Sequence, residues 1–148
     1  MRTLAVDLGS RRVGLALSDE GGHFAMPIEV VEVTDPLQAI EPIVVLVKKE
    51  GIRRIVIGLP LNMDDGSIGS SAKSVICWGG KLAMKVMVPI LYVDERLSSF
   101  QAEQDIIAQK RAGEHITRQM KKEQLDARAA AVFLQDFLDG RLQPVELP

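Results

Sequence analysis

The stretch Leu4-Ala5-Val6-Asp7-Leu8-Gly9-Ser10-Arg11-Arg12-Val13-Gly14-Leu15-Ala16-Leu17-Ser18-Asp19 decides how the whole chain is read. It is an apolar strand interrupted by one carboxylate, then a tight turn with two arginines, then a second apolar strand returning beside the first. An anionic side chain inside a buried strand costs several kcal/mol unless something positive meets it. Asp7 therefore needs a partner that the chain must supply or recruit. Gly9 and Gly14 bracket the turn, where lack of a Cβ lets backbone approach backbone or a ligand.

Outward from this hairpin, 23–34 contains a third strand, and Glu29, Glu32, Thr34 and Pro27 mark it as an exposed edge. Three strands with short links form an antiparallel meander. Asp35-Pro36 caps and opens a helix running to Gly51, with Pro42 either kinking it or standing in the first turn of its regular part. A strand at 52–58 leads into a polar loop at 62–69. Ser70 or Ser71 then caps a helix to about Met87, weakened by Gly79-Gly80. A further strand at 90–93 ends at Asp94-Glu95-Arg96, and Ser98 or Ser99 caps a helix to about Gln109. A basic loop follows to Lys122, 123–138 is the last helix, and 141–148 is a mobile tail. The fold class is α/β: a five-stranded mixed sheet, three antiparallel strands followed by two parallel ones, with right-handed crossovers and helices packed on it. Residues 1–140 form one domain.

Composition agrees with one ordinary globular domain. The chain has 148 residues, enough to bury about two thirds of its unfolded surface. Its 47% apolar and 26% charged residues exclude disordered and fibrous classes. No apolar run reaches the ~18 residues of a membrane span and no signal peptide opens the chain, so a cytoplasmic location is expected. Cys77 stands alone beside Trp78 and reads as core packing. The net charge of −2 does not advertise nucleic-acid binding, but its distribution is uneven. From Gln109 to Arg128 there are six basic residues against three acidic ones, a local patch that a phosphate backbone can use and that a solvated loop would also show.

Three acidic positions fall where apolar elements end or are interrupted. Asp7 is in the first strand. Asp94-Glu95 closes the last strand, where alternation sends the two side chains to opposite faces, so only one can look toward Asp7. Asp126 is expected in the first turn of the final helix, on the stripe of Ala130, Phe133 and Phe137 that must pack on the core. Singly, each acid reads as a cap, a surface charge or half of a salt bridge. Together, converging carboxylates would take up protons unless a cation neutralised them, and a hard divalent ion, Mg²⁺ or Mn²⁺, is the simplest neutraliser. His23 and His115 have no second ligand at metal spacing, and Trp78 and Tyr92 read as core aromatics.

The order and spacing of several short motifs add a resemblance. Val6-Asp7-Leu8-Gly9 with Arg12-Val13-Gly14, Ser18-Asp19, Gly58-Leu59-Pro60-Leu61-Asn62, Gly66-Ser67, Val93-Asp94-Glu95-Arg96-Leu97-Ser98-Ser99 with Ala102-Glu103, and Asp126-Ala127 before Ala129-Ala130 span nearly the whole chain. The chain resembles the YqgF/RuvX family of Holliday-junction-resolvase-like proteins, whose members are also named as nucleases of precursor 16S ribosomal RNA. The resemblance implies a ribonuclease H-like fold with helices on both faces of the sheet. It implies that Asp7, Glu95 and Asp126 are catalytic metal ligands for two ions about 4 Å apart, hydrolysing a phosphodiester. Arg11, Arg12, Arg96, Lys121 and Lys122 would then hold the phosphate backbone, and Asn62 would contact substrate. The implied partner is precursor rRNA or branched DNA, with ribosomal precursor particles as a setting, no membrane, and a monomer or homodimer. Asp64-Asp65 and Ser70-Ser71 depart from the family pattern, and neither aspartate is assigned a ligand role.

Two readings of other classes stand beside this one. Asp7-x-Gly9-x-x-x-x-Gly14 also resembles the phosphate loop of sugar kinases and actin-like ATPases, which need two lobes where this chain has one domain. A non-catalytic RNA-binding module of ribosome biogenesis would show salt-dependent binding that survives loss of Asp126.

Overall fold

The computed structural model describes residues 1–97 and 118–147, with side chains to 97 and again from 127. Five strands form one sheet: β1 (Thr3–Leu8), β2 (Arg12–Ser18), β3 (Ala25–Glu32), β4 (Arg54–Leu59) and β5 (Ile90–Asp94), in the order β3-β2-β1-β4-β5. The first three pair antiparallel, and β1, β4 and β5 run parallel, as the sequence predicts. The β1–β2 turn closes with Gly9 N–H donating to the Arg12 carbonyl at 2.9 Å. A Cβ on Gly9 would stand 2.5 Å from that same oxygen, so the turn requires glycine. On β3 the register shifts opposite Leu15/Ala16, next to Pro27, a bulge that suits an edge strand.

Alternation along the strands sorts the core into two halves. Leu4, Val6, Val13, Leu15, Ile55, Ile57 and Leu59 pack against α1 (Ile40–Glu50) and α2 (Ser70–Ala83). Ala5, Ala16, Val56 and Val93 face Ala130, Phe133 and Leu134 of α3 (Arg118–Leu138) on the opposite side. The smaller strand residues on the α3 side let that helix lie close to the sheet. Helices thus cover both faces. The Trp78 indole N–H, inside the first half, donates to the Pro36 carbonyl at 2.8 Å.

Asp35 caps a 3-10 helix (Pro36–Ala39), accepting from Leu37 N–H at 3.0 Å, and α1 follows directly with Pro42 in its first turn. The second of the two readings of Pro42 is the one realised. Several expectations are corrected. Neither Ser70 nor Ser71 caps α2: Gly69 is the cap residue, without a side-chain bond, and the helix ends at Ala83, short of Met87. Cys77 is exposed, because neighbouring helical positions point about 100° apart and Trp78 takes the inward one. The tail is not loose. Leu142 is buried against the α3 side, Val145 N–H donates to the Tyr92 carbonyl at 2.7 Å, and Pro144 bridges Val93, so the segment covers the free edge of β5. The last helix is already formed at Arg118, so Asp126 lies in its interior, four residues before Ala130. The expected helix from Ser98 or Ser99 and the loop carrying His115 lie outside the described residues.

Candidate active site

β1, β4 and β5 are parallel, so their carboxyl ends share one edge of the sheet, where α/β proteins commonly bind ligands. A cavity of about 560 Å³ opens there, lined by Asp7, Pro60, Leu61, Asn62, Met63, Ser70, Ser71, Glu95, Arg96, Ala129 and Phe133. Asp7 comes from the end of β1, opposite Gly14 of β2, and Glu95 from the 3-10 turn (Glu95–Leu97) that follows β5. Asp7 shares its face with Ala5, and hence with α3, by strand alternation.

The choice between Asp94 and Glu95 is resolved by Arg96. Asp94 is buried, and both its carboxylate oxygens accept from Arg96: Nε at 3.0 and 3.1 Å and Nη2 at 2.8 Å. Glu95 is left to face the cavity, and its carboxylate reaches over Gly58: a Cβ there would meet Glu95 Oε2 at 2.7 Å and Phe133 Cε2 at 3.1 Å. Burial, and secondarily the charge of Asp94, push the Glu95 carboxyl above the usual glutamate range. Positive charge beside such a group favours its ionised form, and hard oxygen donors on Asp7 and Glu95 fit a divalent cation. Among the described residues no three His, Cys, Asp or Glu side chains come together as a metal-binding group. The side chain of Asp126, the third expected ligand, lies outside the described residues.

The other expected contacts divide. Asn62 lines the cavity, and its Nδ2 donates to Ser67 Oγ at 2.8 Å. Arg96 also lines it, with its guanidinium tied to Asp94 and to the Asn62 and Met63 carbonyls. Arg11 in the β1–β2 turn and Arg12 at the start of β2 lie at the same end of the sheet and do not line the cavity. The side chains of Lys121 and Lys122 lie outside the described residues. Sequence reasoning missed Gly58, Phe133 and the two serines as parts of the site. A glycine closing an apolar strand was the available signal for the first, since such a glycine marks a close approach. Ser70 and Ser71 belong to the first turn of α2, whose N-terminal end favours negative charge.

A mixed sheet in this strand order, helices on both faces and acids at the carboxyl ends of β1 and β5 define a ribonuclease H-like domain. The model of the RuvX family, described as Holliday junction resolvase, matches residues 1–140, and the chain belongs to that family. A relative named "Putative pre-16S rRNA nuclease" from Trichormus variabilis is 40% identical over 138 residues, covering 93% of this chain and 87% of its own. One of the same name from Caldanaerobacter subterraneus subsp. tengcongensis is 35% identical over 141 residues, covering 95% and 98%. Among solved structures, Thermus thermophilus RuvC in complex with a Holliday junction substrate superposes with a TM-score of 0.59 at 13% identity, over 98% of this chain and 99% of that one. The Fowlpox virus resolvase bound to Holliday junction DNA gives 0.54 at 8% identity, over 93% and 99%. These two likenesses bear on the fold.

Proposed function

We propose that this chain is a divalent-metal-dependent nuclease that hydrolyses phosphodiester bonds in structured nucleic acid, processing the 5′ end of precursor 16S rRNA. The observation that carries the reading is the meeting of Asp7 and Glu95, far apart in sequence, in one cavity at the carboxyl ends of parallel strands. The names of the relatives support RNA as substrate, and the family description supports branched DNA as the alternative. Asp7 and Glu95, with Asp126 as third donor, would hold Mg²⁺ or Mn²⁺, two ions in the full form. The metal would polarise the phosphate and lower the pKa of an attacking water.

The chain's own residues do the rest. Phe133 and Leu61 give the cavity dry walls, which strengthen every charge interaction inside it. The first turn of α2, with Ser70 and Ser71, favours a phosphate on the wall beside Asn62. Arg11, Arg12, Lys121 and Lys122 would add sequence-independent backbone contacts. Proximity to precursor particles and the choice between monomer and homodimer follow the substrate: a symmetric junction calls for a two-fold dimer, whereas an rRNA end can be trimmed by one copy.

Incubation of the purified protein with Mn²⁺ and matched panels of precursor 16S rRNA and four-way DNA junctions tests the proposal. Cleavage of the rRNA by the wild type and not by Asp7→Asn is expected. Cleavage confined to junctions selects the alternative. No cleavage of either, or equal cleavage by Asp7→Asn, overturns the nuclease reading.

A further inference from the structure

Arg96 is expected from the resemblance to touch the phosphate backbone, yet its surroundings describe another task. All three guanidinium nitrogens are engaged within the protein. Nε and Nη2 bind the Asp94 carboxylate in a two-point fork, and the Arg96 backbone N–H donates to Asp94 Oδ1 at 3.1 Å. Nη1 turns the other way and donates to the carbonyls of Asn62 at 3.0 Å and Met63 at 3.4 Å. Only arginine supplies such a planar fork with a third nitrogen free to reach a second element.

The loop it holds is shaped to receive it. Gly66 has φ of 72° and lies under the guanidinium, where a Cβ would stand 2.7 Å from Nη2. Gly66 N–H returns to the Asn62 carbonyl at 2.9 Å, and Asn62 N–H donates to the Ser67 carbonyl at 2.9 Å. Asp65 Oδ1 accepts from both N–H and Oγ of Ser67, at 2.9 and 2.6 Å. Loop 62–67 is thus closed on itself, and Arg96 ties it to the turn after β5. Asn62 and Met63 line one side of the cavity, while Glu95, between the two members of the ion pair in sequence, lines another.

We infer that the Asp94–Arg96 pair is a positioning device that fixes the Asn62–Ser67 loop and Glu95 relative to each other, with Asp94 and Arg96 as positioning residues. This rests on the proposed nuclease reading for its catalytic consequence. The physical logic is that an arginine whose fork is already matched by a buried carboxylate gains little by exchanging it for phosphate, whereas losing it frees the loop and the turn together.

The full-length protein and its Asp94→Asn, Arg96→Lys, Arg96→Gln and Gly66→Ala variants test the inference through cleavage rate, RNA affinity against salt concentration, and amide hydrogen exchange at Asn62 and Gly66. A positioning role predicts that each variant loses ~10- to 100-fold in kcat, the scale set by misplacing a reacting group by about 1 Å. Affinity and its salt slope stay at wild-type values, exchange at both amides accelerates, and the Asp94→Asn/Arg96→Gln double variant is no worse than the poorer single one. Arg96→Lys keeps the charge and loses the fork, so it behaves like Arg96→Gln.

A phosphate contact predicts the opposite pattern. Arg96→Gln would then weaken binding and lower the salt slope by about 1, Arg96→Lys would be nearly normal, and Asp94→Asn would bind RNA more tightly. That pattern, or unchanged exchange at Asn62 and Gly66, overturns the inference. The exchange measurement needs no catalysis, so inactivity of the wild type, which sinks the nuclease reading, leaves this test standing.

Discussion

The Glu95 carboxylate occupies the space that a side chain at position 58 would fill: a Cβ on Gly58 would stand 2.7 Å from Glu95 Oε2, with the Phe133 ring 3.1 Å away on its other side. Gly58 is the next-to-last residue of β4, and Phe133 is buried, so the carboxylate is the group that must yield. Gly58→Ala should therefore lower kcat ~10- to 100-fold by displacing Glu95. Overpacking against Phe133 should cost about 1–3 kcal/mol of stability. Steady-state kinetics and urea titration check the two effects, and an alanine variant with wild-type values in both would show that Glu95 does not rest there.

The raised Glu95 carboxyl makes a prediction about pH. Its folded-state pKa lies above the ordinary value of 4.5, so the folded protein holds the proton more tightly than the unfolded chain. The stability it contributes is complete below the unfolded pKa and is lost as pH rises through the folded one. Glu95→Gln removes this loss. In chelator-treated protein the variant should gain stability over the wild type as pH is raised from below to well above 4.5, while losing cleavage. Thermal melts across that range should show a widening gap in Tm, and a gap independent of pH would contradict the assigned burial of Glu95.

Two adjacent glycines in α2 should respond oppositely to alanine. Gly80 has open space around its missing side chain, so Gly80→Ala should stabilise by about 1 kcal/mol through helix propensity, roughly 2–4 °C in Tm. The Tyr92 hydroxyl occupies the place of a Cβ on Gly79, so Gly79→Ala should destabilise by about 1–3 kcal/mol. Calorimetric melts of both variants distinguish the roles, and similar Tm changes of one sign would refute the close helix–strand contact.

The strand meander, the parallel pair and the placement of Asp7 in the first strand were legible because each rests on a local pattern: apolar runs, short links, and one carboxylate where none is expected. The acid at the end of β5 was legible only as a pair. Alternation says that Asp94 and Glu95 diverge, and it takes the fork of Arg96 on Asp94, a tertiary contact, to show which faces inward. The contacts of Arg96 were not legible, since an arginine beside an acid has the same letter whether it faces solvent or holds a loop. The docked tail was hidden for a related reason. Pro144 and Val145 show no periodicity of their own, and their placement depends on an edge strand formed by residues far upstream. The start of α3 was placed too late because Arg118 to Lys122 are strongly polar, and helix propensity there acts without an apolar stripe to announce it.

If Asp7 and Glu95 act as one cation-holding pair, calorimetric titration with Mn²⁺ reads their joint affinity. Saturable binding is expected for the wild type and for Asp64→Asn, an exposed loop acid outside the cavity lining, with affinity at least ~10-fold weaker in both Asp7→Asn and Glu95→Gln. Binding by Asp7→Asn and Glu95→Gln as tight as that of the wild type would contradict it.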